Sequence, residues 1–241
     1  SCGGQVSKKP ALVRQCYQGE LSIIYGNNDL SHLIDSPTWL QSASLSVAAV
    51  VRTSSLIDIS KTQKKLVDTS DQQLLCDSSE GPLSKSVKCS SFLIASDIVL
   101  TAGHCIQSNY ICKRSSFIFG LERQNNLEAI DKDRIYGCKE ILDSSNSSNA
   151  DYSVIKLERK VQGIPALKLL DVKELAYGDE VSMVGYPKSR QIKISQNGKF
   201  FRLSPDKAWL HTQVDSLSGS SGSPIFDNRS QSVVGVHTHG L

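Results

Sequence analysis

Three short segments stand in a fixed order along the chain: Thr-Ala-Gly-His-Cys at Thr101–Cys105, Asp-Tyr-Ser-Val-Ile-Lys-Leu at Asp151–Leu157, and Gly-Ser-Ser-Gly-Ser-Pro at Gly219–Pro224. Amide hydrolysis at neutral pH needs a hydroxyl made nucleophilic by an adjacent base, a group that orients that base, and donors aimed at the developing oxyanion. His104, Asp151 and Ser221 suit the roles of base, orienting acid and nucleophile. Unrelated folds bring these groups together in different chain orders, so the order His, Asp, Ser separates this chain from folds that run Ser–acid–His or Asp–His–Ser.

Each residue also has a plainer reading. An isolated histidine is usually a hydrogen-bonded core residue, and the case for His104 rests on the company of the other two segments. Asp151 opens a D-x-x-V-x-x-L stretch that ordinary sheet edges also show; its position after the histidine favours it. The stretch Ser218–Ser223 holds four serines and reads equally as a flexible loop. Ser221 is singled out because Gly219 and Gly222 can take backbone conformations that turn amides inward, and because Ser-Gly-Ser-Pro at Ser221–Pro224 resembles the start of the serine endopeptidase pattern. The N–H groups of Gly219 and Ser221 are then the expected oxyanion donors.

Short apolar runs bounded by polar turns, without strand–helix repeats, indicate an all-β antiparallel protein. The expected strands include Leu45–Val51, Ser91–Thr101, Tyr152–Leu157, Val181–Tyr186, Gln191–Ser195, Lys199–Leu203, Ala208–Val214 and Ser232–Thr238, with a hairpin turn at Asn197-Gly198. Lys61–Glu80 reads as a polar surface insertion, and Asp143–Asn149 as a loop that delivers Asp151. At 241 residues the chain accommodates two small barrels sharing one cleft. By resemblance to the two-barrel serine endopeptidases, residues 1–45 are expected to be an N-terminal extension or prosegment, 46–160 a first barrel carrying His104 and Asp151, and 161–241 a second barrel carrying Ser221. A formal net charge of +3, from 27 basic and 24 acidic side chains, gives no electrostatic footprint for nucleic acid. No apolar run approaches the length of about 18 residues that a membrane-spanning helix needs.

The three segments resemble those of the trypsin-like, chymotrypsin-fold serine endopeptidases, over roughly residues 47 to 240. Ser221-Gly-Ser-Pro224 and Gly235-Val-His237 look like the bacterial glutamyl endopeptidase branch. The resemblance implies two antiparallel six-stranded-type β-barrels with the active site between them, the second barrel short of its usual C-terminal elements. It also implies an acyl-enzyme mechanism on protein or peptide substrates, without metal or organic cofactor. For specificity it points two ways. Asp215 followed by Ser216 matches the pair that selects Lys or Arg in trypsins, whereas Ser216 with His237 matches elements that bind a substrate carboxylate. A buried Asp facing an acidic side chain is repulsive unless it points elsewhere, so the two readings compete; the preferred one is an acidic residue at P1, the position before the cleaved bond, with Lys or Arg at P1 as the alternative. Gly240 is expected to pair its backbone with bound peptide. His239 has no assigned role. A latent or purely binding protein on the same fold is the alternative class.

Seven cysteines without a paired set of metal-ligand spacings read as a disulfide framework and hence an oxidising compartment. The resemblance implies a Cys89–Cys105 bridge beneath the histidine. Cys112 and Cys138 lie between His104 and Asp151 and are a candidate pair, leaving Cys16 and Cys76. Cys2 looks like the residue after a bacterial lipoprotein signal, or else is a free terminal thiol. The expectation is an exported monomer, secreted or held in the cell envelope, with a lipid anchor if Cys2 is acylated.

Overall fold

β-Branched and aromatic residues in short runs build the strands of this chain, and the computed structural model describes residues 22–25, 29–67, 86–121, 129–187, 191–206 and 208–239. In chain order the strands are β1 (Ser22–Ile23), β2 (Leu30–His32), β3 (Val47–Arg52), β4 (Leu56–Asp58), β5 (Gln63–Leu66), β6 (Val87–Ala95), β7 (Ile98–Thr101), β8 (Ser115–Phe119), β9 (Ile130–Asp131), β10 (Ile135–Asn146), β11 (Asp151–Leu157), β12 (Glu180–Gly185), β13 (Lys193–Leu203), β14 (Leu210–Thr212), β15 (Ser216–Leu217), β16 (Pro224–Asp227) and β17 (Ser232–Val236). The short helices are α1 (Thr38–Ser44) and α2 (Asn109–Cys112).

The first unit is a closed antiparallel barrel in the order β10-β11-β7-β6-β3-β8. Closure leaves no strand edge open. In β11 the residues Ser153, Ile155 and Leu157 are buried and alternate with more exposed neighbours, the period of two that puts one face inward. The second unit is a six-stranded antiparallel sheet, β14-β13-β12-β16-β17, with β2 added on β13. Among the described residues it stays open rather than closing into a second ring. One apolar cluster runs through both units, taking Val47 and Val51 from β3, Val184 from β12 and Phe226 from β16.

Several local expectations are corrected. The turn at Asn197-Gly198 is not a hairpin: β13 runs unbroken through it, with Asn197 at φ 60° taking up a bend. The stretch read as an insertion contributes β5, paired with β4 and β9. Much of the Asp143–Asn149 loop belongs to β10, whose Asn146 pairs with Asp151. Residues ahead of β3 also pack into the protein. Leu40 of α1 is buried in the shared core, and Trp39 meets Phe226 edge-on at 5.7 Å.

Cys89–Cys105 and Cys112–Cys138 are both bonded. Cys2, Cys16 and Cys76 lie outside the described residues. Lys64 and Lys132 both pair with Asp58 on the surface. No helix among the described residues is long and apolar enough to cross a membrane.

Candidate active site

Strand β7 ends at Thr101, and the chain turns once through Gly103–Cys105 before leaving the barrel. Gly103 is required there: a Cβ would stand 1.9 Å from the Ser145 carbonyl oxygen and 2.9 Å from Asp151 Oδ1. This close approach lets Asp151 hold His104 at two points. The His104 backbone N–H donates to Asp151 Oδ1 at 2.8 Å, and His104 Nδ1 stands 2.7 Å from Asp151 Oδ2. A carboxylate in that place keeps the ring proton on Nδ1 and leaves Nε2 as an acceptor. The Asp151 side chain is 9% exposed and that of His104 37%, so the carboxylate is shielded while the imidazole faces the cleft. Ser153, two residues on, donates its hydroxyl to the Ile106 carbonyl at 2.9 Å and ties the segment after His104 to the same strand.

The loop carrying Ser221 comes from the second unit and is mounted on the first. The Ser90 N–H donates to the Ser221 carbonyl at 2.7 Å, the Ser90 hydroxyl reaches the Gly219 carbonyl at 3.4 Å, and Thr101 Oγ1 donates to the Ser90 carbonyl at 2.7 Å. The Tyr186 N–H donates to the Ser90 hydroxyl at 2.8 Å, so this wholly buried serine fastens both units together. Cys105 Sγ, next to His104 in sequence, lies 3.9 Å from the Ser221 carbonyl oxygen. Gly219 and Gly222 have φ of 95° and 88°, the left-handed region where glycine is favoured. Among the described residues the N–H groups of Gly219 and Ser221 meet no acceptor. The Ser221 hydroxyl donates to the Thr238 carbonyl at 3.0 Å rather than to His104.

The cleft, about 1070 Å³, is lined by His104, Asp151, Ser216, His237, His239 and Tyr25 among others. Burial pushes the His237 imidazole down to about 4, with nearby His239 and His104 acting in the same direction. The ring is therefore neutral at neutral pH. Asp215 departs from its expected place. It is buried at 2% exposure and does not line the cleft; Oδ1 accepts from the Tyr25 N–H at 2.8 Å and Oδ2 from the Asp29 N–H at 2.7 Å. Its charge faces the N-terminal segment because two backbone donors meet it there. Gly240 lies outside the described residues.

Other cleft features were not legible in the sequence. Trp209 packs edge-on against His239 at 5.1 Å and donates Nε1–H to the Ser148 carbonyl at 3.0 Å, bridging the second unit to the loop ahead of Asp151. Only the scarcity of tryptophan, two in the chain, could have drawn attention to it. Ser90 has no signal apart from following Cys89. Cys89, His104 and Cys105 lie close enough to suggest a metal site, but the two cysteines share a disulfide and offer no thiolate.

The family model described as trypsin-like peptidase domain matches residues 89–236. Among solved structures, a Glu endopeptidase in complex with MPD is similar at 18% identity and a TM-score of 0.54, covering 91% of this chain and 88% of that one. The Rv3671c protease in an inactive form is similar at 14% identity and a TM-score of 0.51, covering 84% and 81%. No curated protein matches. At these identities the structural likeness speaks for the fold alone.

Proposed function

Because the chain belongs to the trypsin-like peptidase domain family, we propose that it is a serine endopeptidase in which His104, Asp151 and Ser221 form the reacting set. The Ser221 hydroxyl leaves the Thr238 carbonyl, gives its proton to His104 Nε2 and attacks the substrate carbonyl. Asp151 stabilises the imidazolium so formed. The N–H groups of Gly219 and Ser221 receive the oxyanion. His104 then protonates the leaving amine, and water hydrolyses the acyl-enzyme by the same route in reverse.

The two-point hold of Asp151 on His104 carries this reading, since it fixes both the position of the base and its tautomer. Labelling with a fluorophosphonate followed by peptide mass analysis tests it. Modification at Ser221, absent from Ser221→Ala and His104→Ala, is expected; modification of another serine overturns it. A second reading, a latent form, is favoured by the Ser221 hydroxyl resting on Thr238. In that case labelling appears only after processing.

For specificity we propose an acidic P1 residue. Ser216 and neutral His237 line the cleft with donors suited to a carboxylate, while the carboxylate of Asp215, which a basic side chain would need, already accepts two backbone N–H groups. Cleavage-site profiling with a peptide library tests this: cuts after Glu support it, and cuts after Lys or Arg overturn it. The division into a barrel over residues 46–160 and a second unit over 161–241 fits the delivery of His104 and Asp151 from one and Ser221 from the other. Both disulfides are compatible with an exported protein. Acylation of Cys2, action as a monomer and the requirement for no cofactor belong to this proposal as well.

A further inference from the structure

A buried carboxylate is costly unless hydrogen-bonded, and charge-assisted N–H bonds are the usual compensation. Asp215 has two, both from backbone amides of the chain's N-terminal portion, Tyr25 and Asp29, some 190 residues away in sequence for Tyr25. A second contact independently brings the same portion to the same place. β1 pairs antiparallel with β15, with Ser22 opposite Leu217 and Ile23 opposite Ser216. Tyr25, the residue whose amide is held, lines the cleft together with Ser216. The cleft remains about 1070 Å³ with Tyr25 on its lining, so Tyr25 acts as a wall of an open cavity and not as a plug.

We propose that Asp215 is a docking post for the N-terminal segment: it holds residues 22–25 and Asp29 against β15, so that Tyr25 becomes a fixed wall of the pocket that receives the substrate side chain. Asp215 sets specificity through that wall without touching substrate. It is a positioning residue. Its neighbour Ser216, a candidate carboxylate binder, is braced by the same pairing. This inference rests on the peptidase reading for its effect on specificity, while the docking itself does not depend on that reading.

The test uses the full chain in four forms: wild type, Asp215→Ala, Asp215→Asn and Tyr25→Ala. Amide hydrogen exchange reads the docking. In the wild type the Tyr25 and Asp29 amides should exchange about a hundredfold or more below the unstructured rate; most of that protection should vanish in Asp215→Ala, and Asp215→Asn, which keeps one acceptor oxygen, should fall between. Tyr25→Ala should keep Asp29 protected. Kinetics with peptides differing only at P1 reads the wall. Discrimination between the best and second-best P1 residue should fall about fivefold in both Asp215→Ala and Tyr25→Ala, through KM more than kcat.

Unprotected Tyr25 and Asp29 amides in the wild type overturn the proposal. So does loss of cleavage confined to Lys and Arg substrates in Asp215→Ala with Tyr25→Ala unaffected, because Asp215 would then be reading the substrate directly. Should Asp215→Ala fail to fold, Asp215→Asn and Tyr25→Ala carry both measurements. If no form cleaves peptides or takes the fluorophosphonate label, the peptidase reading and the specificity role fall together; the exchange data then still decide whether Asp215 holds the segment.

Discussion

The backbone N–H of Ser90, on the barrel that carries His104, donates to the carbonyl of Ser221 at 2.7 Å. The candidate nucleophile is thus positioned by the unit that supplies the base. This bond needs the next residue, Gly222, to pass close by: a Cβ there would stand 2.0 Å from the Ser90 carbonyl oxygen and 2.3 Å from Thr101 Oγ1. Both neighbours are buried and cannot retreat.

Gly222→Ala should therefore fail on two counts, a φ of 88° and a clash with main chain. The combined cost is about 2–4 kcal/mol, and fluorophosphonate labelling of Ser221 should drop with it. Thermal denaturation of the variant checks the first and labelling rate the second. An unchanged melting temperature would mean that the loop does not rest on Ser90 as described.

Asp151→Asn keeps a group of the same shape but places an amide N–H where His104 Nδ1 must donate, or else flips and loses the bond to the His104 backbone N–H. The first orientation forces the ring into the wrong tautomer and the second sets two donors against each other and loosens the ring, so kcat should fall by about 10⁴ with KM little changed. Steady-state kinetics on a cleaved peptide measures it. A loss below tenfold would assign the orienting role to another acid.

Much of this geometry was legible in the chain, and the reasons for the gaps are physical. His104, Asp151 and Ser221 sit in short motifs because each needs fixed neighbours: Gly103 for the approach of Asp151, Gly222 for contact with the first barrel. Strands such as β11 announce themselves by alternation. The direction in which Asp215 faces was not legible, because sequence reports that a carboxylate is present and not which way it points; its partners, Tyr25 and Asp29, lie in a portion without periodicity. The helix α1 was missed because seven residues are too few to display a helical period. Asn197-Gly198 has the composition of a hairpin turn, yet pairing of β13 with β12 on both sides of it kept the strand continuous.

The His237 imidazole, pushed down to about 4 by burial, couples stability to pH. Its unfolded value is near 6.5, so between about pH 4 and 6.5 the unfolded chain binds more protons than the folded one, and stability rises with pH across that window. The stabilisation is complete above about 6.5 and is lost progressively as pH falls toward 4, by up to about 3 kcal/mol. Denaturant unfolding at several pH values, compared between wild type and His237→Asn, isolates this contribution from that of the carboxylates. A wild type and variant with parallel pH profiles would show that the ring titrates alike in both states.

Trp209 spans the cleft, and its two contacts can be separated. Its indole N–H bonds the Ser148 carbonyl ahead of Asp151, and its ring packs on His239. Trp209→Phe keeps an aromatic ring against His239 and removes only the hydrogen bond, at a cost of about 1 kcal/mol. Trp209→Ala removes both and should raise KM about tenfold for peptides long enough to reach past P1, with kcat affected less because neither contact touches the His104–Asp151 pair. Kinetics on a series of peptides of increasing length distinguishes these outcomes. Equal effects on short and long peptides would place Trp209 in the scaffold of the loop bearing Asp151 rather than in the wall that meets the substrate.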